Sequence, residues 1–287
     1  MNVIIERLSD VVLWFVVYSF AGWAYETALV SIQQRRFVNR GFLNGPLCPI
    51  YGCGAVLAAS LLADASLPDW IVFLLSGSVA CLLEYVTSII MEKAFHARWW
   101  DYSSYKFNYQ GRICLLGFLA FGVAGVAIVE YAQPAVSALT GSIQWPWKPA
   151  IAAVVALAII IDFVVSVVGT YGLDKTVDKM SKAIHAVEES AAVRAVSSLK
   201  AKSKTPDGLS TRLPKLFELS QSTLNSQQKR MLSSFPRLRL IRVEDKFTAD
   251  LKAVLAGKWH EALRRIDKPS AGIETPRKTD GATDAES

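Results

Sequence analysis

Apolar residues are unevenly spread along this 287-residue chain. Nearly all long apolar runs precede Tyr171, whereas the residues after it mix charged and apolar positions like an ordinary soluble segment. Five runs, at 11–31, 47–62, 70–91, 113–131 and 149–171, approach the ~20 residues a helix needs to cross a bilayer. The second is the shortest, and its start holds Pro46, Pro49, Gly52 and Gly54. Two readings of it stay open: a short tilted span and a re-entrant segment. The first run is too long for a signal peptide, and no small-residue cleavage site follows it.

Loop charge sets the expected orientation. The link between the first two runs holds Arg35, Arg36 and Arg40, and that between the third and fourth holds Lys93, Arg98, Lys106 and Arg112. The link at 63–69 has no Lys or Arg, the one at 132–148 only Lys148, and the N-terminus only Arg7 beside Glu6 and Asp10. Alternate loops agree on an outer N-terminus and an inner tail with five spans, and a re-entrant second segment would break that agreement. The expected fold is therefore an all-α polytopic membrane helix bundle of five spans with a helical cytoplasmic tail, in a bacterial plasma membrane. The expected units are 1–171 for the membrane domain, 172–268 for the tail and 269–287 for a disordered C-terminus.

Within the tail, Val177, Met180, Ile184, Val187 and Ala191 keep three-and-four spacing, which predicts an amphipathic helix over 175–202. A linker at 203–209 and further helices over 214–235 and 244–266 follow. Composition agrees: 52% of residues are hydrophobic and 20% charged, which excludes a soluble globular, disordered or collagen-like chain. Residues 1–171 carry nine Lys/Arg and ten Asp/Glu, a net of −1, and residues 172–287 carry 22 and 15, a net of +7. Such a tail is expected on anionic lipids of the inner leaflet. Nucleic acid is not an expected partner, because the tail has no aromatic platform, zinc pattern or recognition helix.

Ionisable residues in hydrocarbon normally face a bundle interior or water. Three runs carry one on a small-and-polar seam at helical spacing: Ser19, Gly22, Glu26; Gly77, Cys81, Glu84, Ser88, Glu92; and Ala158, Asp162, Ser166, Gly169. The seams are expected to turn toward one another. Their carboxylates read either as structural, paired with Arg40, Arg112 or Lys93 or kept neutral by desolvation, or as a solute, ion or headgroup site open to the cytoplasm.

Two loop motifs bear on that choice. The stretch 40–54, RGFLNGPLCPIYGCG, brings an Arg, Asn44, free carbonyls and a helix start to one place. Its bland reading is an awkward turn into a short helix. The run Trp99-Trp100-Asp101-Tyr102-Ser103, followed by Asn108, Gly111 and Arg112, reads as an aromatic belt or as part of the same site. The candidate site residues are Glu26, Arg40, Asn44, Glu84, Ser88, Asp101, Asn108, Arg112 and Asp162. No cofactor is expected, and Cys48 and Cys53 lack a third and fourth metal ligand.

Gly22-Trp23-Ala24-Tyr25-Glu26, the 40–54 stretch, Glu84-Tyr85 with Glu92, the Trp-Trp-Asp-Tyr-Ser run and Gly111-Arg112-Ile113-Cys114-Leu115 together resemble the bacterial ABC transporter type IV (CmpB-like permease) family. Gln228–Leu232 leading to Phe235-Pro236-Arg237-Leu238 is similar to it as well. The resemblance implies a permease-type subunit. The chain has no Gly-x4-Gly-Lys-Ser/Thr phosphate loop, so a separate ATPase subunit is the partner it would need. A scaffold or regulator acting through the basic tail, and a membrane enzyme acting on a lipid headgroup, are the competing functions. Deleting 201–287 is expected to abolish a scaffold but to leave a pore or enzyme with basal activity.

Overall fold

A chain buried in a bilayer must satisfy its backbone N–H and C=O groups internally, and a helix does so within one segment. The computed structural model, which describes residues 2–63, 65–199 and 223–255, is accordingly mostly helical. Its helices are α1 (Asn2–Gln34), α2 (Pro49–Leu62), α3 (Asp69–Phe95), α4 (Leu115–Ala127), α5 (Gln133–Gly141), α6 (Trp147–Thr170), α7 (Leu173–Leu199), α8 (Ser226–Ser234) and α9 (Asp245–Leu255). Asp69–Phe95, Leu115–Gly141 and Trp147–Ala186 are long and apolar enough to cross a membrane, and Pro49–Leu62 is a shorter apolar helix.

The fourth apolar run continues beyond its predicted end. A π-helical turn at Ile128–Ala132 joins α4 to α5, so residues 132–141, expected in a loop, are helical. Pro134 has no N–H for the carbonyl one turn back, and the π turn lies where that bond is missing. The polar residues that make this stretch look like a loop are bonded to α1. Tyr18 donates to Gln133 Oε1 at 2.8 Å, and Trp14 donates to the Thr140 hydroxyl at 3.1 Å.

α1 lies against α2, α5 and α6, and α3 lies along α4, with α2 also touching α3. At the start of α6, buried Lys148 pairs with Asp10 of α1 at 2.7 Å. The outer face of α6 leaves Val154, Leu157, Ile161, Val165 and Val168 uncovered, as a lipid-facing surface requires.

The tail is tied to the other end of the bundle. Gly172, at φ +73°, takes the left-handed conformation that breaks α6 from α7. Leu173, Val177, Met180 and Ile184 of α7 then join one core with Phe95 at the end of α3, with Ala97 and Trp99 beyond it, and with Met231, Leu232, Leu240 and Leu251 of the tail. The predicted seam of α7 thus packs on this chain's own tail; its positions at Val187 and Ala191 lie outside the described side chains. Asn225 caps α8, accepting from the Gln228 N–H at 2.8 Å while its own N–H donates to the Gln228 side chain at 3.2 Å.

The all-helical expectation needs one correction. Four two-residue strands close this end: β1 (Ala97–Arg98) pairs antiparallel with β4 (Arg239–Leu240), and β2 (Asn108–Tyr109) with β3 (Ile113–Cys114). The loop after α3 cannot continue a helix past left-handed His96 (φ 49°), so it fills its backbone bonds by pairing. The predicted linker at 203–209, most of the helix expected over 214–235, the end of that over 244–266 and the terminus at 269–287 lie outside the described residues.

Met231 is fully buried in the tail core. Met231→Ala should lower stability by about 2–5 kcal/mol, seen as a lower thermal midpoint of the full chain in detergent. An unchanged midpoint would mean that the tail core contributes nothing to folding.

Candidate functional site

The 40–54 stretch is held in place by α1 and α6. Gly22 has no side chain, so the Tyr51 ring lies directly against it. The Tyr51 hydroxyl therefore reaches Glu26 one turn farther along and donates at 2.7 Å. Arg40 Nε donates to the other Glu26 oxygen at 3.1 Å, forming an ion pair. Asp162 accepts from the Asn44 N–H, the Asn44 amide and the Gly45 N–H at 2.9, 3.0 and 2.7 Å. Ser166 accepts from the same Asn44 amide at 3.1 Å. Asn44 and Asp162 thus form a clasp that pins the loop to α6.

The loop after α3 is built as firmly. Asn108 accepts from the Gly111 N–H at 3.0 Å and donates to the Tyr105 carbonyl at 2.7 Å. Gly111 sits at φ +65°, and a Cβ there would run into Asp101 and Ser103, so only glycine fits. Arg112 pairs with Glu92 at 2.9 Å and donates to Ser88 at 2.8 Å. With the strand turned this way, Tyr102 points back to α3 and donates to Glu84 Oε1 at 2.9 Å. Burial first, and then the adjacent Glu84 carboxylate, push the Tyr102 hydroxyl above the ordinary phenol range, so it acts as a donor.

Between the α1–α2 and α3–α4 pairs lies a cavity of about 380 Å³. Its walls are apolar, with Leu57, Leu61, Leu75, Val79, Phe121 and Ile128 among them, and its polar lining includes Glu26, Arg40, Tyr51, Glu84 and Tyr102. Glu84 is 6% exposed, and its Oε2 has no hydrogen-bond partner among the described residues. Trp100 and tail residue Phe235 also line this space.

Phe235 arrives there because the tail is docked by arginines. Arg40 donates to the Ser234 carbonyl at 2.8 Å, and its guanidinium lies 4.6 Å from the centre of the Phe235 ring. Arg230 donates to the Gly41 and Phe42 carbonyls, both at 2.7 Å. Burial brings the Arg230 pKa down to about 10. Arg239 bridges Asp101 at 3.0 Å and Asp245 at 2.6 Å. Burial would raise the Asp101 carboxyl, but the bonds from Ser103 and then Arg239 outweigh it and bring it down to about 2. Lys252, brought down to about 8 by burial, donates to the Pro236 and Leu238 carbonyls at 3.1 and 2.6 Å. A second, more open and hydrophilic cavity of about 1180 Å³ lies under this junction, with Arg35, Arg36, Arg237 and Arg239 on its wall.

Of the predicted residues, Glu26, Arg40 and Glu84 therefore line one cavity. Ser88 and Arg112 form a brace beside it, Asp101 and Asn108 shape the loop and its junction with the tail, and Asn44 and Asp162 hold the other loop. The three seams do not meet at one point: that of α3 packs on α4 through Gly77 and Phe118, and that of α6 closes on the 40–54 stretch. Sequence reasoning missed Tyr51, Trp100, Tyr102, Arg230 and Phe235 as neighbours of the site. The signal was present, since all five lie within the motifs that carry the family resemblance. Among the described residues no group of three or more His, Cys, Asp or Glu is placed to hold a metal.

A family model described as "Putative ABC-transporter type IV" matches residues 13–167. No curated protein matches the chain, and no solved structure does.

Arg230 makes two charge-assisted bonds to carbonyls, each contributing about 1.5–3 kcal/mol. Arg230→Ala should raise the tryptic cleavage rate within residues 237–242 at least about tenfold, with Arg230→Lys intermediate because an ammonium lacks the fork. Cleavage at the wild-type rate in both variants would show that the tail does not depend on this anchor.

Proposed function

This chain belongs to the ABC-transporter type IV family, and we propose that it is a membrane-embedded permease-type component with a cytoplasm-facing polar site. Family membership and the apolar helices already make it a membrane protein related to transport. The finer reading has five spans, formed by α1, α2, α3, the α4–α5 helix and α6, with the N-terminus outside and the tail in the cytoplasm of a bacterial cell. The distribution of loop arginines supports this orientation.

α2 has 14 residues, about 21 Å at 1.5 Å per residue, against a hydrocarbon core of ~30 Å. As a short span it starts below the membrane surface, and the 40–54 stretch leads down to it. Irregular backbone at that depth is tolerated against protein or a cavity, and here it borders both. The polar lining of the cavity then faces inward, toward the docked tail.

The observation that carries the reading is this cavity: an apolar chamber between two helix pairs, holding a buried carboxylate with an unpartnered oxygen and lined in part by a tail residue. A structural ion pair explains Glu26 and Arg40 but not Glu84. Energy would come from a separate ATPase docking on the inner loops or tail, since this chain has no phosphate loop. The basic tail would also lie near anionic lipid.

Purification from native membranes in mild detergent, with mass spectrometry of stoichiometric partners, tests the reading. A co-eluting ATPase is the expected result, and Glu84→Gln should retain that partner and normal abundance while losing transport-coupled ATPase stimulation. A chain that elutes without any ATPase would overturn the ABC-type permease reading.

A further inference from the structure

The cavity's charge balance identifies the class of molecule it takes. We infer that it binds a cationic amphiphile, with an ammonium-type head against Glu84 and an apolar body between α2, α3 and α4. This deepens the transport reading and rests on it for the site's role.

Among the described lining residues only Glu26, Arg40 and Glu84 are charged. Glu26 and Arg40 neutralise each other at 3.1 Å. Arg40 is further engaged by the Ser234 carbonyl at 2.8 Å and by the Phe235 ring, so a phosphate or carboxylate head would have to compete with Glu26 for a charge that is already balanced. Glu84 remains, 6% exposed, with one oxygen on Tyr102 and Oε2 unpartnered. An anionic head would meet like charge without a free cation. A neutral head would leave the buried carboxylate uncompensated. A cation supplies both the missing charge and a partner for Oε2.

The neighbours fit the same ligand. Tyr51, Trp100, Tyr102 and Phe235 line the cavity, and aromatic faces attract ammonium groups, quaternary ones included. The rest of the wall is aliphatic and suits an alkyl or ring body. A volume of about 380 Å³ falls in the roughly 300–1,000 Å³ range of small-molecule sites. The same chemistry could be delivered by an amino-headed lipid of the bilayer or by a water-soluble organic cation.

Decyltrimethylammonium and decyl sulfate share an alkyl chain and carry opposite charge. Their binding to the purified full chain in a non-ionic maltoside detergent is measured by titration calorimetry against empty micelles. The cation should bind saturably and at least about tenfold tighter than the anion. Glu84→Gln should weaken the cation at least about tenfold while Glu84→Asp keeps most of the affinity, since the charge is what differs. The exposed Glu130→Gln should bind like wild type. Equal affinity for the two probes on wild type, or preference for the anion, overturns the inference without reference to any variant. Lipid extraction assigns the source. An amino-headed lipid retained by wild type and lost from Glu84→Gln points to the bilayer, and tight probe binding with no retained lipid points to a water-soluble cation. The titration needs no ATPase, so a missing ATPase partner would remove the permease reading and leave the cation site. A partnered chain indifferent to probe charge would remove the cation site alone.

Discussion

The guanidinium of Arg40 is the interaction on which the rest of this structure depends. It is bonded to α1 through Glu26, to the tail through the Ser234 carbonyl, and to the cavity's edge through the Phe235 ring. Taking an arginine out of water costs several kcal/mol unless its charge and donors are all met. Here Glu26 of α1 balances the charge, and the guanidinium donates to α1 and to the tail, so the loop, α1 and the tail come together around it. The tail's position, the shape of the 40–54 stretch and the closure of one end of the cavity therefore follow from one side chain. Arg230 repeats the device one residue farther into the loop, engaging the carbonyls of Gly41 and Phe42. Two prolines and several glycines leave that loop without regular backbone bonding, and Arg230 satisfies two of its carbonyls.

The same accounting sets carboxylates that join two elements apart from Glu84. Asp10 has Lys148, Glu92 has Arg98 and Arg112, and Asp162 has three donors from Asn44 and Gly45. Each closes a contact between two elements. Glu84 has a single phenolic donor and faces a cavity. Tyr102 can orient that carboxylate but cannot balance its charge. Set against these three carboxylates, Glu84 is the one whose second oxygen meets a cavity rather than a donor, which is why the proposed site centres on α3 rather than on α1 or α6.

The helices were legible because their signal is local. Apolar runs and three-and-four spacing place α1, α2, α3, α6 and α7 within a few residues of where they lie, apart from the extra N-terminal turns of α1. Glu26 and Glu84 were legible because a carboxylate in an apolar run always demands an account. The stretch at 132–141 was misread because Gln133, Ser137 and Thr140 look like loop residues until Tyr18 and Trp14 of α1 appear across from them. Tyr102 reads from sequence as part of an aromatic belt, since an aromatic at a membrane boundary needs no partner to be at home, and Tyr51 as one residue of a turn into a short helix. Their hydroxyls gain meaning only from Glu26 and Glu84, 25 and 18 positions away. Arg230 and Phe235 lie almost 200 residues from Gly41 and Arg40, a separation that periodicity and charge counting cannot bridge.

That separation also changes what the tail can be. From sequence, a basic tail beyond a membrane domain reads as an accessory whose removal would tell a scaffold from a pore. In the folded chain β4 completes a sheet with β1, Met231 and Leu232 fill the core under Trp99, and Phe235 lines the cavity itself. Truncating the tail would strip one wall of the site, unpair Arg40 and expose the core at once, so loss of function would no longer point to a scaffold. The informative contrast lies between the buried and outer faces of the tail. Arg230 and Phe235 belong to the site's architecture, whereas an exposed side chain such as Ile241 belongs only to the surface. A role in recruiting partners would reside in that outer face, and a role in the chamber resides in the inner one.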